Sequence, residues 1–114
     1  MLFIVQSNCQ PCNGVAASLP DARMQRALEG VRVVRLDASD FRVELRRLKV
    51  PLEKQPGFVL FGAGNVPVDY VHGGEWDEDI ARNIAPVLGK FARGTYLDRR
   101  DPWQGLKRDD ETPL

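Results

Sequence analysis

The sequence predicts an α/β domain: a central mixed β-sheet of about four strands flanked by helices, with the first strand starting at the N-terminus. Three observations carry that expectation. The hydrophobic period switches repeatedly between strand-like and helix-like spacing over residues 2–92. An apolar run, Leu2-Phe3-Ile4-Val5, leads directly into both cysteines of the chain, spaced as Cys9-Gln10-Pro11-Cys12. Two further apolar stretches, around Phe58 and Tyr70, are separated only by the turn residues Gly62-Ala63-Gly64-Asn65.

Taken in order, residues 2–6 read as a buried strand. Residues 10–19 read as a helix with Val15, Ala16 and Leu19 on one side, interrupted at Pro20. Asp21 is a suitable N-cap for a short second helix in which Met24, Ala27 and Leu28 recur before Gly30 ends it. The β-branched run Val31 to Leu36 follows as the second strand, parallel to the first through a helical crossover. Asp40 is placed to cap a third helix, with Phe41, Leu45 and Leu48 inward and Arg42, Arg46, Arg47 and Lys49 outward, closed by Val50-Pro51. Phe58-Val59-Leu60-Phe61 and the alternating Val66, Val68 and Tyr70 form an antiparallel hairpin preceded by Pro56-Gly57. From Gly73-Gly74 the chain enters a last helix near Asp77, with Ile80, Ile84, Val87, Leu88 and Phe91 on its core side. Pro86 is expected to bend or split it. Residues 1–94 thus make one domain. Residues 95–114 keep no period and carry Pro102 and Pro113, reading as a loosely ordered tail in which Trp103 and Leu106 are able to dock.

Composition narrows the function without choosing it. The 114 residues are 43% hydrophobic, which suits one buried core. Sixteen basic and sixteen acidic residues cancel, and neither a basic block nor a basic amphipathic helix appears, so no nucleic-acid or membrane-surface partner is expected. The apolar run after Met1 is too short for a signal-peptide core or a membrane span and lacks a basic flank. The expected location is cytoplasmic if Met1 is the true start, and periplasmic or otherwise extracytoplasmic if a longer gene product was trimmed. Two cysteines in tandem close too small a loop to staple a fold.

Their spacing suits redox chemistry instead. On the first turn of a helix, residues i and i+3 share a face, so two thiols there join with little backbone movement. The first sulfur meets unpaired N–H groups and the positive end of the helix dipole, which favour the thiolate and lower its pKa. Cys9 is therefore the expected attacking thiolate, and Cys12, one turn deeper, the resolving thiol. Pro11 fits the first helical turn, where its missing N–H costs no intrahelical bond.

The order β-α-α-β-α-β-β-α, with Cys-x-x-Cys after the first strand and Pro56 before the hairpin, resembles the thioredoxin superfamily over roughly residues 2–92. In detail the chain is most similar to the thioredoxin-like domains of DsbD-type disulfide reductases. Leu19-Pro20-Asp21 through Ala27-Leu28, Val31 to Asp37 and Leu48-Lys49-Val50 run in the order of that group's segments. The resemblance implies a thioredoxin fold and a cis peptide between Gln55 and Pro56, whose backbone would pair with an extended substrate segment. It also places Gly73 or Gly74 near the family's glycine before the final helix, and makes Gln10 and Pro11 part of the substrate-facing surface. The departures are as informative. Where thioredoxins carry Trp before the first cysteine and Gly-Pro between the pair, this chain has Asn8 and Gln10-Pro11. Where many hold a buried acid six positions before the first cysteine, it has Phe3, so deprotonation of Cys12 needs water or another group. The chain starts where a glutaredoxin starts, and Gly73-Gly74 with Asp77 is faintly similar to a glutathione site, although the hairpin has thioredoxin length.

The expected function is dithiol-disulfide exchange with disulfide- or dithiol-bearing proteins, with electrons from another dithiol protein or a small thiol and no metal or organic cofactor. The alternative is a redox-inert binding or assembly module of the same fold, with the tail around Trp103 as a docking segment. A third reading is metal carriage between Cys9 and Cys12. A lone Cys-x-x-Cys lacks the second pair that a zinc site normally needs. His72 reads as a solvated residue at a strand end, Phe58 and Trp76 as core or cap residues, and Arg46-Arg47 as a solvated helix face.

Overall fold

A computed structural model describes residues 1–105. Its eight main elements are β1 (Leu2–Val5), α1 (Gln10–Ser18), α2 (Ala22–Ala27), β2 (Val34–Asp37), α3 (Arg42–Arg47), β3 (Gly57–Phe61), β4 (Pro67–His72) and α4 (Ala81–Ala92). The strands form one mixed sheet in the order β2-β1-β3-β4. β1 pairs parallel with β2 and antiparallel with β3, and β3 pairs antiparallel with β4. The class expected from the sequence, a four-stranded mixed sheet flanked by helices with its first strand at the N-terminus, is what forms.

Strand alternation sorts the core into two layers. Phe3 and Val5 of β1, Phe58 of β3 and Val71 of β4 point to the side covered by α1, α2 and α4, where they meet Val15, Met24, Ile84, Leu88 and Phe91. Ile4, Val59 and Tyr70 point to the opposite side, against Leu45 of α3 and Val50. A central strand buried on both faces explains why Leu2-Phe3-Ile4-Val5 is continuously apolar rather than alternating.

Several local expectations are corrected. β2 begins at Val34 rather than Val31, because the Val31 N–H donates to Leu28 O and so continues the turn out of α2. Asp40 does not cap α3. The Asp37 carboxylate instead accepts from the Ser39 N–H and hydroxyl, folding Ala38–Asp40 into a 3-10 turn, and α3 starts from Phe41. Phe41 consequently stays 40% exposed, while Leu45 is buried. Val66 and Val68 do not share the inward side with Tyr70. The β3–β4 register slips between Leu60 and Phe61, so that Leu60 faces Asp69 and Phe61 faces Pro67, and the bulge turns Val68 to solvent.

The last helix starts at Ala81, not near Asp77. Ile80 is still extended (φ −126°, ψ 153°), while buried Trp76 is tied to Asp79 in the preceding turn. Pro86 neither splits nor ends α4. An interior proline costs about 3 kcal/mol, whereas burying Ile84, Leu88 and Phe91 contributes ~1.5–3 kcal/mol each, so the packed face decides.

Residues 95–105 contain no helix or strand but lie against the domain. Arg99 donates to Tyr70 O from Nη1 and pairs with Asp69, which occupies the free edge of β4. The Trp103 indole N–H donates to Lys49 O at 2.8 Å, and its ring packs on the layer around Tyr70. Leu106 and Pro113 lie outside the described residues.

Gly57 sits where only glycine fits. A Cβ there would collide with the Tyr70 hydroxyl and ring, and that hydroxyl donates to Lys54 O. Gly57→Ala is expected to lower stability by ~1–3 kcal/mol, read as a lower urea midpoint. Gly89→Ala, whose Cβ would rest at 3.6 Å from Ala27 Cβ within α4, should instead be neutral or raise the midpoint through better helix propensity.

Candidate active site around the paired cysteines

The turn after β1 passes through exposed Asn8 at φ 57°, which swings the chain into α1. Cys9 is the N-cap of that helix, with extended backbone (φ −103°, ψ 101°). Its Sγ does what a serine or aspartate oxygen does at most helix starts: it accepts the Cys12 backbone N–H, at 3.0 Å. Cys9 is half-buried and Cys12 is 1% exposed. The two sulfurs are bonded as a disulfide, with Cα atoms 5.2 Å apart. Gln10 and Pro11, the first two helical residues, are both exposed beside Cys9.

The second group forms at the start of β3. The Gln55–Pro56 peptide is cis. Pro56 is buried, and its carbonyl accepts the Gly73 N–H at 3.0 Å across the mouth of the hairpin. A Cβ on Gly73 would sit 3.5 Å from the Pro56 ring, so the glycine backbone lies flat against the proline. The Gln55 amide Nε2 donates to Pro51 O at 3.0 Å, while its Oε1 is buried with no hydrogen-bond partner among the described residues.

Trp76 and Asp79 connect the two groups, and sequence reasoning missed the acid. The Trp76 ring is buried in the same layer as Cys12, edge-on to Phe58, with Cys9 packed on that layer. The Trp76 indole N–H donates to Asp79 Oδ1 at 2.8 Å. The same Oδ1 lies 4.0 Å from where a Gly73 Cβ would be, and Asp79 Cβ lies 3.0 Å from where a Gly14 Cβ would be. Asp79 thus spans from α1 to the Pro56–Gly73 contact. The readable signal was Gly14, which leaves room for that carboxylate two residues beyond Cys12.

Phe3 is fully buried and stacked on Phe58, with ring centroids 4.7 Å apart and planes 9° from parallel. Phe58 and Trp76 are core residues, as read. His72 ends β4 as expected but is not solvated. Its Nδ1 accepts the Gly74 N–H at 3.1 Å, and its Nε2 lies 2.8 Å from Asp101 Oδ2, which also pairs with Lys54. Among the described residues no three His, Cys, Asp or Glu side chains cluster as a metal site. No helix is long and apolar enough to cross a membrane among those residues.

No protein-family model, curated protein or solved structure matches this chain.

Glu75 secures the loop that carries Gly73. It is 2% exposed and accepts from the Tyr96 hydroxyl (2.9 Å) and from the backbone N–H groups of Arg100 (2.9 Å) and Asp101 (2.7 Å). Burial pushes its carboxyl pKa up, but these three donors and the Arg99 charge together outweigh burial and hold it below the ordinary carboxylate value. A folded-state pKa below the unfolded one gives stability that is full above the unfolded value and is lost as pH falls through the folded one. Glu75→Gln should therefore cost ~1–3 kcal/mol in urea unfolding at neutral pH, and the gap to the parent protein should close as the buffer is taken well below the ordinary carboxylate range.

Proposed function

We propose that this protein is a thiol-disulfide oxidoreductase of thioredoxin type, exchanging a dithiol for a disulfide with protein partners through Cys9 and Cys12. The observation that carries the reading is the asymmetry of the pair. Cys9 Sγ is the half-buried cap of α1 with an N–H aimed at it, whereas Cys12 is buried one turn deeper. An N–H donor and a helix N-terminus favour negative charge on the capping sulfur, which suits Cys9 to attack and to leave as thiolate. The strand order, the cis peptide before β3 and the Gly73–Pro56 hydrogen bond support the thioredoxin-type reading further.

In the reductive direction the Cys9 thiolate attacks one sulfur of a partner disulfide, forming a mixed disulfide and expelling the partner's other sulfur as thiolate. Cys12 loses its proton and attacks Cys9 Sγ. The Cys9–Cys12 bond forms, the partner's second thiolate leaves and the partner is reduced by two electrons. A second dithiol or a small thiol restores the reduced pair by the same exchange in reverse. Gln10, Pro11, Gln55, Pro56 and Gly73 form the substrate-facing surface in this proposal, and the Gln55 backbone is the part that pairs with an extended partner segment.

Cys9→Ser should abolish dithiothreitol-driven reduction of insulin disulfides, while Cys12→Ser should accumulate a mixed disulfide visible on non-reducing gels. In the reduced protein, iodoacetamide should label Cys9 before Cys12, and labelling should persist at pH values where a free thiol reacts poorly. A wild-type protein that turns over no dithiol donor would support the binding-module alternative instead.

A further inference from the structure

A groove of about 490 Å³ runs between α2 and α4. Arg23 and Arg26 line it from one helix, and Arg82, Lys90 and Arg93 from the other. No carboxylate lines it, and among the described residues the side chains of Arg23, Arg26, Arg82 and Lys90 enter no ion pair. Elsewhere among the described residues Lys54, Arg99 and Arg100 are paired, with Asp101, Asp69 and Asp77. One member of the groove is already fixed in place. Arg93 Nη1 donates to Ala27 O at 2.9 Å and to Gly89 O at 2.8 Å, which uses both hydrogens of that nitrogen and pins the guanidinium across the helix crossing. Its Nε and Nη2 hydrogens meet no acceptor among the described residues and remain for an incoming one. The remaining lining, Ala27, Ala85, Pro86, Gly89 and Thr95, is small and mostly apolar.

We propose that this groove docks an acidic segment of a partner protein in which carboxylates alternate with aliphatic side chains. Clustered like charges without counter-ions raise the local potential and draw an anion, and guanidinium groups bind carboxylates in two-pronged fashion. The apolar surface between the cations suits aliphatic side chains. A nucleic acid fits less well: no aromatic residue lines the groove to stack a base, whereas apolar residues do lie among the cations. The feature escaped sequence reading because its two halves lie far apart in the chain and neither is a basic block.

Fluorescence anisotropy with a fluorescein-labelled Glu-Glu-Leu-Glu-Glu-Leu-Glu-Glu peptide tests the proposal. Binding should weaken with added salt and fall at least about tenfold in the double variant Arg23→Gln/Arg82→Gln. It should be unchanged in Arg46→Gln/Arg47→Gln, which removes the same charge from the exposed face of α3. If the first variant fails to fold, Arg26→Gln/Lys90→Gln makes the same comparison. Absence of peptide binding to the parent protein, equal losses in the groove and α3 variants, or tighter binding of an oligothymidylate than of the peptide would each overturn it.

Discussion

The stacking of Phe3 on Phe58 is the contact on which the rest of the molecule depends. These two residues face each other in the β1–β3 register, so the ring pair fixes the alignment of the strands on either side of it. β1 then delivers the turn that ends in Cys9, and β3 follows directly on the Pro56 peptide. Trp76 meets the edge of Phe58 from the third side and carries Asp79 and the Gly73 turn with it. A slip of one residue in this register would exchange the two buried layers and separate the cysteine turn from the Pro56–Gly73 contact. An aromatic at position 3 thus serves as the joint between both halves of the site. A carboxylate there would need its own hydrogen-bond partners in a layer that is otherwise apolar.

What could be read from the sequence was what local chemistry determines. β1 and β3 announced themselves through short apolar runs, and the Asp21 cap of α2 is as expected, accepting from the Arg23 N–H. The paired cysteines and the glycine-proline punctuation around residue 56 were equally visible. Most of the errors fall where a tertiary contact overrode a local preference. One is local: Asp37 caps the 3-10 turn before α3 because Ser39 offers it two donors, and α3 itself starts from Phe41 with no side-chain cap. α4 absorbs Pro86 because three large apolar side chains of its face are buried. The bulge at Val68 depends on the partner strand and has no signature within β4 alone. Asp79 was overlooked because its place is set by Gly14 and Trp76 together, and neither advertises an acidic neighbour in sequence.

The zero net charge conceals a sorted surface. Asp69, Glu75, Asp77 and Asp101 are all engaged in holding residues 95–105 against β4 and the loop after it, each with an arginine, a lysine, a histidine or backbone donors as partner. With so many carboxylates engaged in this internal strap, the arginines of α2 and α4 have no counter-ion among the described residues. Composition counts both populations equally, whereas the fold separates them. Arg99 shows how much one cation does on the strap side: it pairs with Asp69, donates to the β4 backbone and lies over the Phe91 and Tyr96 rings.

The capping sulfur at position 9 joins two equilibria that are usually separate. A helix cap is ordinarily a fixed acceptor, and its strength is a constant of the fold. In the proposed exchange the acceptor is an atom whose electron count changes, and an N–H binds a thiolate more strongly than it binds a bridged sulfur. Opening the disulfide to a Cys9 thiolate would strengthen this cap hydrogen bond while removing the covalent link across the turn, and by reciprocity whatever strengthens the cap bond in the opened pair favours the thiolate. Within that proposed exchange, cap strength and the charge on Cys9 are thus linked through a single backbone hydrogen.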